Sequence, residues 1–318
     1  MRIRPTTEAE LDRVLACPAT EPVGLVPADR YRDELARHQY RPEWTWIAED
    51  AGRILARAIW WGFGDSAYPL ALDCVYADGA DDGAAGRVAL AAELIAAGQR
   101  ALRPPDGQIA PRYEIGLPAG WRSDPEVVAA FGWRRDAAAR AGLTDELERI
   151  RFEWTPGSGL PRPSGRLAYR PEPDDDVFLD VFRQIAAGSL DVTTRREVAV
   201  LGADRQARED LGIYLAMPGE REWWRLAYTA ADGQLAGMIL PNRNTYGAVV
   251  GYLGVVPGLR GRGYINDLVA ETTRFHAGRG EPRIIATTDT TNVPMAAAFE
   301  RAGYRACGIR YVLSEPGG

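Results

Sequence analysis

A chain of 318 residues with 46% hydrophobic and 26% charged residues is a globular protein with room for two domains. No uncharged apolar run is long enough to span a bilayer, and acids interrupt the N-terminal stretch where a secretory signal needs an apolar core, so cytoplasmic residence is expected. A net charge of −6 argues against nucleic acid as a partner, and the 38 basic residues include no lysine, which excludes Schiff-base chemistry.

The acidic balance is compatible with a cationic amine substrate. Cys17, Cys74 and Cys307 share no metal or redox spacing, and Cys74 and Cys307, in apolar strands, read as small core residues. His38 and His276 have no partners for a metal cluster, so no metal is expected. His276, near the end of a helical pattern, reads as a surface residue complementing the helix dipole.

The first half opens on Ile3-Arg-Pro5, then a polar turn and an apolar helical stretch. A strand Trp44–Ala48, a turn Asp50–Gly52 and a strand Arg53–Trp60 follow. Trp60, Trp61, Tyr68 and Asp73 are either core or the wall of a cleft. The segment Tyr76–Arg87 sets Asp78, Asp81 and Asp82 against one arginine. Then come Pro111–Ile115, Arg140-Ala-Gly-Leu143 and Ile150-Arg-Phe152. Residues 156–165, PGSGLPRPSG, are too rich in proline and glycine for a helix or central strand and read as a linker.

Beyond it the order repeats. Tyr169-Arg-Pro171 answers Ile3-Arg-Pro5, and Trp224–Thr229, Ala231–Gly233 and Gln234–Leu240 answer the first hairpin. Pro282–Ala286, Arg301-Ala-Gly-Tyr304 and Ile309-Arg-Tyr311 answer the rest. Each match alone is at the level of chance; their common order is not. The chain therefore reads as domains 1–155 and 166–318, two copies of one α/β unit joined by the linker. The polar region Asp174–Met217 is expected to supply two helices, with Arg195-Arg-Glu197 and Asp204–Asp210 as solvated faces.

In the second copy, GYLGVVPGLRGRGYI (251–265) gives an apolar strand, a Pro-Gly break, the basic turn Arg260-Gly-Arg-Gly263 and a helix. Ile265, Leu268, Val269, Thr272 and Phe275 mark that helix's apolar face. Unpaired N–H groups at a helix start, two glycines and two arginines suit a diphosphate. The absence of lysine rules out a P-loop. Gly261 and Gly263 also give the G-x-G of a dinucleotide turn, with Asp289 as the ribose acid. Asn266 at the third-glycine position and the short remaining chain count against that reading.

Read as V-x-P-x-x-R-G-x-G, the residues Val255, Pro257, Arg260, Gly261 and Gly263 resemble the acyl-CoA loop of the GNAT superfamily of N-acetyltransferases. Asn292-Val-Pro-Met295 and the Gly303-Tyr304 ending extend the resemblance, with Met295 for Ala and Tyr304 for Phe. The doubled arrangement is similar to the tandem GNAT proteins. The resemblance implies an α/β fold of the α+β type: two tandem domains, each a mixed, mainly antiparallel sheet flanked by helices. It also implies that the fourth strand, Gly247–Val256, and the fifth, Arg283–Asp289, splay apart for a pantetheine arm.

The implied co-substrate is acetyl-CoA and the implied partner a small amine, acetylated by direct attack in a ternary complex. Leu253, Gly254, Val255 and Val256 would border the thioester, with N–H groups around Gly254 to Val256 as oxyanion donors. Arg260, Gly261, Arg262, Gly263, Tyr264 and Ile265 would hold the diphosphate, and Asn292, Met295 and Phe299 the arm. The fourth strand has no glutamate base, and Phe299 stands where many members have a tyrosine acid. Asp289 and Tyr252 are the substitute catalytic candidates, with a helix cap and a pocket wall as their plainer roles. Tyr304 reads as core. Like charges at Asp78, Asp81 and Asp82 cost about 4 kcal/mol per close pair near a surface, against about 0.3–1 kcal/mol from a helix end, so the first copy is expected not to hold CoA. A CoA-binding protein without transferase activity is the alternative.

Overall fold

The computed structural model describes residues 1–317 apart from 19, 79–82, 106 and 107, so Asp81 and Asp82 lie outside the described residues. It divides into two compact units, Met1–Glu148 with Ile309–Gly318, and Arg149–Gly308.

The front unit carries β1 (Arg2–Pro5), α1 (Leu11–Leu15), α2 (Ala28–Ala36), β2 (Thr45–Asp50), β3 (Arg53–Trp61) and β4 (Ala71–Ala77). α3 (Gly83–Ala101), β5 (Arg112–Pro118), α4 (Pro125–Arg140) and the start of β6 (Asp145–Trp154) complete its N-terminal part. β1 to β4 form an antiparallel meander, and β5 joins β4 in parallel through Ala71↔Arg112 and Leu72↔Tyr113. The α4 start is set locally. Asp124 accepts the N–H groups of Glu126 and Val127, and Pro125 takes the first helical position, where a missing N–H costs nothing.

The rear unit continues with β7 (Leu167–Arg170), α5 (Asp175–Ala186), α6 (Val192–Leu201), α7 (Ala203–Ala216), β8 (Arg225–Thr229), β9 (Leu235–Asn244) and β10 (Gly247–Val255). α8 (Tyr264–Gly278), β11 (Ile284–Asp289), α9 (Val293–Arg301) and β12 (Arg305–Ser314) follow. Its sheet runs β7-β8-β9-β10-β11-β6, antiparallel except between β10 and β11. α5 presents Phe178, Leu179, Phe182 and Ile185 at helical spacing to a core shared with Trp224, Met238, Leu268 and Phe299. Each such side chain contributes about 1.5–3 kcal/mol on burial.

The unit boundaries depart from a cut at the linker because two strands are shared out. Arg149–Trp154 of β6 belongs to the rear unit, and Ile309–Ser314 of β12 to the front one. Three other expectations change. Asp174–Met217 holds three helices, since Gly202 at φ +80° separates α6 from α7. Cys307 is exposed, in the opening stretch of β12 where Arg305 and Ala306 are exposed too. His276 is fully buried, because 269, 272, 273 and 276 fall on one stripe of α8. Its Nε2 bonds the Val249 carbonyl at 2.9 Å, and burial lowers its pKa to about 4. Among the described residues no helix is long and apolar enough to cross a membrane.

Candidate functional site

The rear unit's site begins where its two parallel strands stop pairing. Ala248↔Ile284 and Val249↔Ile285 are in register, and then β10 slips against β9 between Val249 and Tyr252. Gly251 makes this bulge at φ +70°, and a Cβ there would lie 2.0 Å from the Leu240 carbonyl oxygen, so only glycine fits. Past the bulge β10 stays on β9, while β11 stays on β6 as far as Asp289↔Arg149. The edges part.

Backbone alternation decides which groups line the split. The Val256 N–H donates to the Ala236 carbonyl at 3.0 Å, toward β9. Two-residue periodicity sends the Tyr252 and Gly254 N–H groups the same way, and turns those of Leu253 and Val255 to the open side. Around the expected Gly254 to Val256 stretch, the N–H groups on the open side are thus those of Leu253 and Val255.

After β10 a short turn, Pro257–Leu259, leads to Arg260. Gly261 and Gly263 both take φ +77°, and the second is the N-cap of α8. Gly261 and Arg262 are exposed; Tyr264 and Ile265 are half-buried. Among the described residues the Arg262 guanidinium has no ion pair or hydrogen bond. Arg260 differs. It donates to the carbonyls of Ile185 (2.6 Å), Ala187 (3.0 Å), Gly188 (2.9 Å) and Val255 (3.0 Å), three of them at the C-terminal end of α5. A cation there meets the negative end of the helix, so Arg260 clamps α5 to the turn instead of facing a ligand.

Arg166 was not apparent in the sequence, where it directly follows the linker without a motif. It donates to the Arg262 carbonyl at 2.9 Å, pairs with Asp267 and lies over the Tyr264 ring at 5.0 Å. A cavity of about 450 Å³ lies on the turn's other flank, lined by Gln184, Ala187, Gln234, Leu235 and Val256 to Leu259. It sits beside the split, not in it.

The remaining residues have structural partners. Asn292 caps α9, accepting the Met295 N–H at 3.4 Å. Met295 is half-buried, and Phe299 is buried between Phe152 (5.4 Å) and Tyr304 (5.3 Å). The Tyr304 hydroxyl shares a hydrogen bond with Thr273 at 3.0 Å. Asp289 is fully buried. It pairs with Arg149 Nε at 2.9 Å and accepts the Val192 N–H at 2.6 Å, anchoring α6 beside that helix's own cap, Asp191. Burial, then the charge of Asp191, raise its pKa, and Arg149 opposes them. Oδ2 takes the hydrogen bond, while Oδ1 faces Arg149 as an ion pair and, among the described residues, accepts no hydrogen bond.

Tyr252 is half-buried and packs on Phe182 (4.8 Å) and Tyr214 (5.8 Å). Burial keeps its hydroxyl neutral. Beside it stands Asp210, read from sequence as part of a solvated face. Gln206 donates to its carboxylate, and burial foremost, then the charge of Glu197, push it up to about 8. The signal for it was the spacing Gln206, Asp210, Tyr214, one face of α7.

The class follows from fold and split: a mixed sheet opened between two parallel strands, followed by a glycine turn at a helix start. Residues 200–304 match the acetyltransferase (GNAT) family, so the rear unit carries a GNAT domain. The whole chain has the fold of a GCN5-related N-acetyltransferase from Sphaerobacter thermophilus, at 16% identity and TM-score 0.58, over 98% of this chain and 94% of that one. A tandem GNAT protein from the clavulanic acid biosynthesis pathway is 17% identical at TM-score 0.52, over 100% and 98%. A glucosamine N-acetyltransferase region of a fungal β-N-acetylglucosaminidase is 13% identical at TM-score 0.59, over 98% of this chain and 38% of that one. No curated protein sequence matches.

Proposed function

We propose that the rear unit transfers an acetyl group from acetyl-CoA to a small amine by direct attack in a ternary complex. The observation that carries this reading is the split beyond Gly251, with the N–H groups of Leu253 and Val255 on its open edge. Two such donors fit a thioester oxygen that gains charge as the amine attacks, and removing one such donor typically costs 10²- to 10³-fold. The turn Gly261–Ile265, with Arg262 and Arg166, would take the diphosphate. The tetrahedral adduct collapses by breaking the C–S bond. Phe299 supplies no proton there, and a thiol of pKa near 8.5 leaves without one.

Contacts in the front unit support the reading that it does not share this role. Its β4 and β5 also part after two paired residues, and its Val75 N–H is oriented as Leu253's is. That N–H already donates to the Gly24 carbonyl at 3.3 Å, while Arg134 Nε holds the Val75 carbonyl at 3.1 Å. The chain fills its own slot, so the front unit reads as support.

The absence of a carboxylate on β10 favours a second reading, a CoA-binding protein without turnover. Incubation with acetyl-CoA and an amine panel, with thiol release monitored, tests both. Amine-dependent release supports transfer; tight CoA binding with no release on any amine supports the second; no CoA binding rejects both.

A further inference from the structure

Three aromatic rings gather beside the open strand. Phe182 of α5, Tyr214 of α7 and Tyr252 of β10 stand with centroids 4.8, 5.8 and 6.1 Å apart. Tyr252 directly precedes Leu253, whose N–H faces the split. Among the described residues neither tyrosine hydroxyl has a hydrogen-bond partner. One turn along α7 from Tyr214 is Asp210, and one turn further is Gln206, only 1% exposed. The Gln206 amide nitrogen donates to Asp210, while its buried carbonyl oxygen has no partner. An unmatched buried acceptor is destabilising, so the site calls for a donor.

Carboxylate, amide oxygen and two hydroxyls offer acceptors to an N–H-rich cation, and aromatic faces attract the same charge. The charged groups acting on this spot are Asp210 and Glu209 of α7, Glu197 of α6, Asp191 at its cap, Arg149, and Arg260 of the glycine turn. Arg149 is already matched by Asp191 and Asp289.

Building on the acyl-transfer reading, we propose that Asp210 and Gln206, with the rings of Phe182, Tyr214 and Tyr252, bind the acceptor as an alkylammonium ion, and that Asp210 takes its proton. One N–H proton passes to the Asp210 carboxylate, and the freed nitrogen lone pair attacks the thioester carbon. The C–S bond breaks, the departing thiolate takes the second proton from nitrogen, and Asp210 returns its proton to solvent. The balance is one ammonium and one thioester giving one amide, one thiol and one proton. A carboxyl held near 8 suits the task once it is ionised above that pH or beside the bound cation, because proton transfer works best when donor and acceptor are close in pKa.

The test compares wild type with Asp210→Asn, using phenethylammonium, charged at neutral pH, and aniline, already neutral. Expected is a loss of about 10²- to 10³-fold in kcat/KM for phenethylammonium, loss of the basic-side rise in its pH profile, and less than tenfold loss for aniline. CoA affinity stays unchanged. Equal losses for both amines, or none, overturn the proposal. Calorimetric titration of phenethylammonium chloride into the protein, with and without saturating CoA, reads amine binding without turnover. Binding weakened at least tenfold by Asp210→Asn supports the proposal; wild-type binding that is absent or unaffected overturns it. Failure of acetyl-CoA to bind would instead sink the acyl-transfer reading, so the two failures are distinct.

Discussion

Arg260 and Arg262 are chemically identical and two residues apart, yet one faces in and the other out. Hydrogen bonds from a charged donor contribute about 1.5–3 kcal/mol each, and Arg260 makes four to carbonyls, partly offset by its own desolvation. Arg260→Ala should therefore lower stability by about 2–4 kcal/mol in denaturant titration. Arg262→Ala should leave stability within about 0.5 kcal/mol and weaken CoA roughly tenfold in calorimetry. The reverse pattern would return Arg260 to the ligand. Sequence could show both arginines but not this division, since the carbonyls that claim Arg260 belong to a helix some seventy residues earlier.

His276 gives a residue-scale test by pH. Its folded pKa of about 4 lies below the unfolded value near 6.5, so the unfolded chain binds the proton first. Its contribution is full above pH 6.5 and is lost as pH falls toward 4, on the order of 3 kcal/mol. His276→Gln, which keeps a donor for Val249, should flatten that part of a melting-temperature profile. An unchanged slope would place the acid sensitivity elsewhere.

At the scale of elements, the glycine turn was legible because it is local: strand, break, glycines and helix start are contiguous. The bulge was not, because a one-residue slip against β9 leaves no mark in the apolar pattern. Asp210 was misread for a related reason. The residues 204–210 look solvated on their own helix, yet Gln206 and Ala207 are buried and Asp210 is half-buried, which depends on what packs against α7. Gly251→Ala tests the bulge. An L-residue at φ +70°, with Cβ against the Leu240 oxygen, should cost at least about 1–3 kcal/mol and abolish CoA binding. Gly116→Ala, in the front unit with open space around it, is the control and should change neither.

For the whole molecule, the repeat in the sequence showed two similar units but placed their border at the linker. Pattern cannot reveal a shared-out strand, since both β6 and β12 look like ordinary strands wherever they pair. The consequence is physical. Cutting within 156–165 leaves the front fragment without Ile309–Ser314, and so without Leu313, which is fully buried, and Tyr311, which packs on Phe131 at 4.7 Å. The rear fragment loses Phe152 and Trp154, each 1% exposed, and with them the strand that pairs β11 from Ile284 to Asp289. Since β10 has already parted from β11, that strand would keep only two register pairs. At about 1.5–3 kcal/mol per large side chain, each fragment forfeits much of a typical 5–15 kcal/mol stability. Fragments made separately should show no cooperative melt, and the two made together should recover one. Independent cooperative melting of either fragment would mean that the borrowed strand is dispensable to that unit.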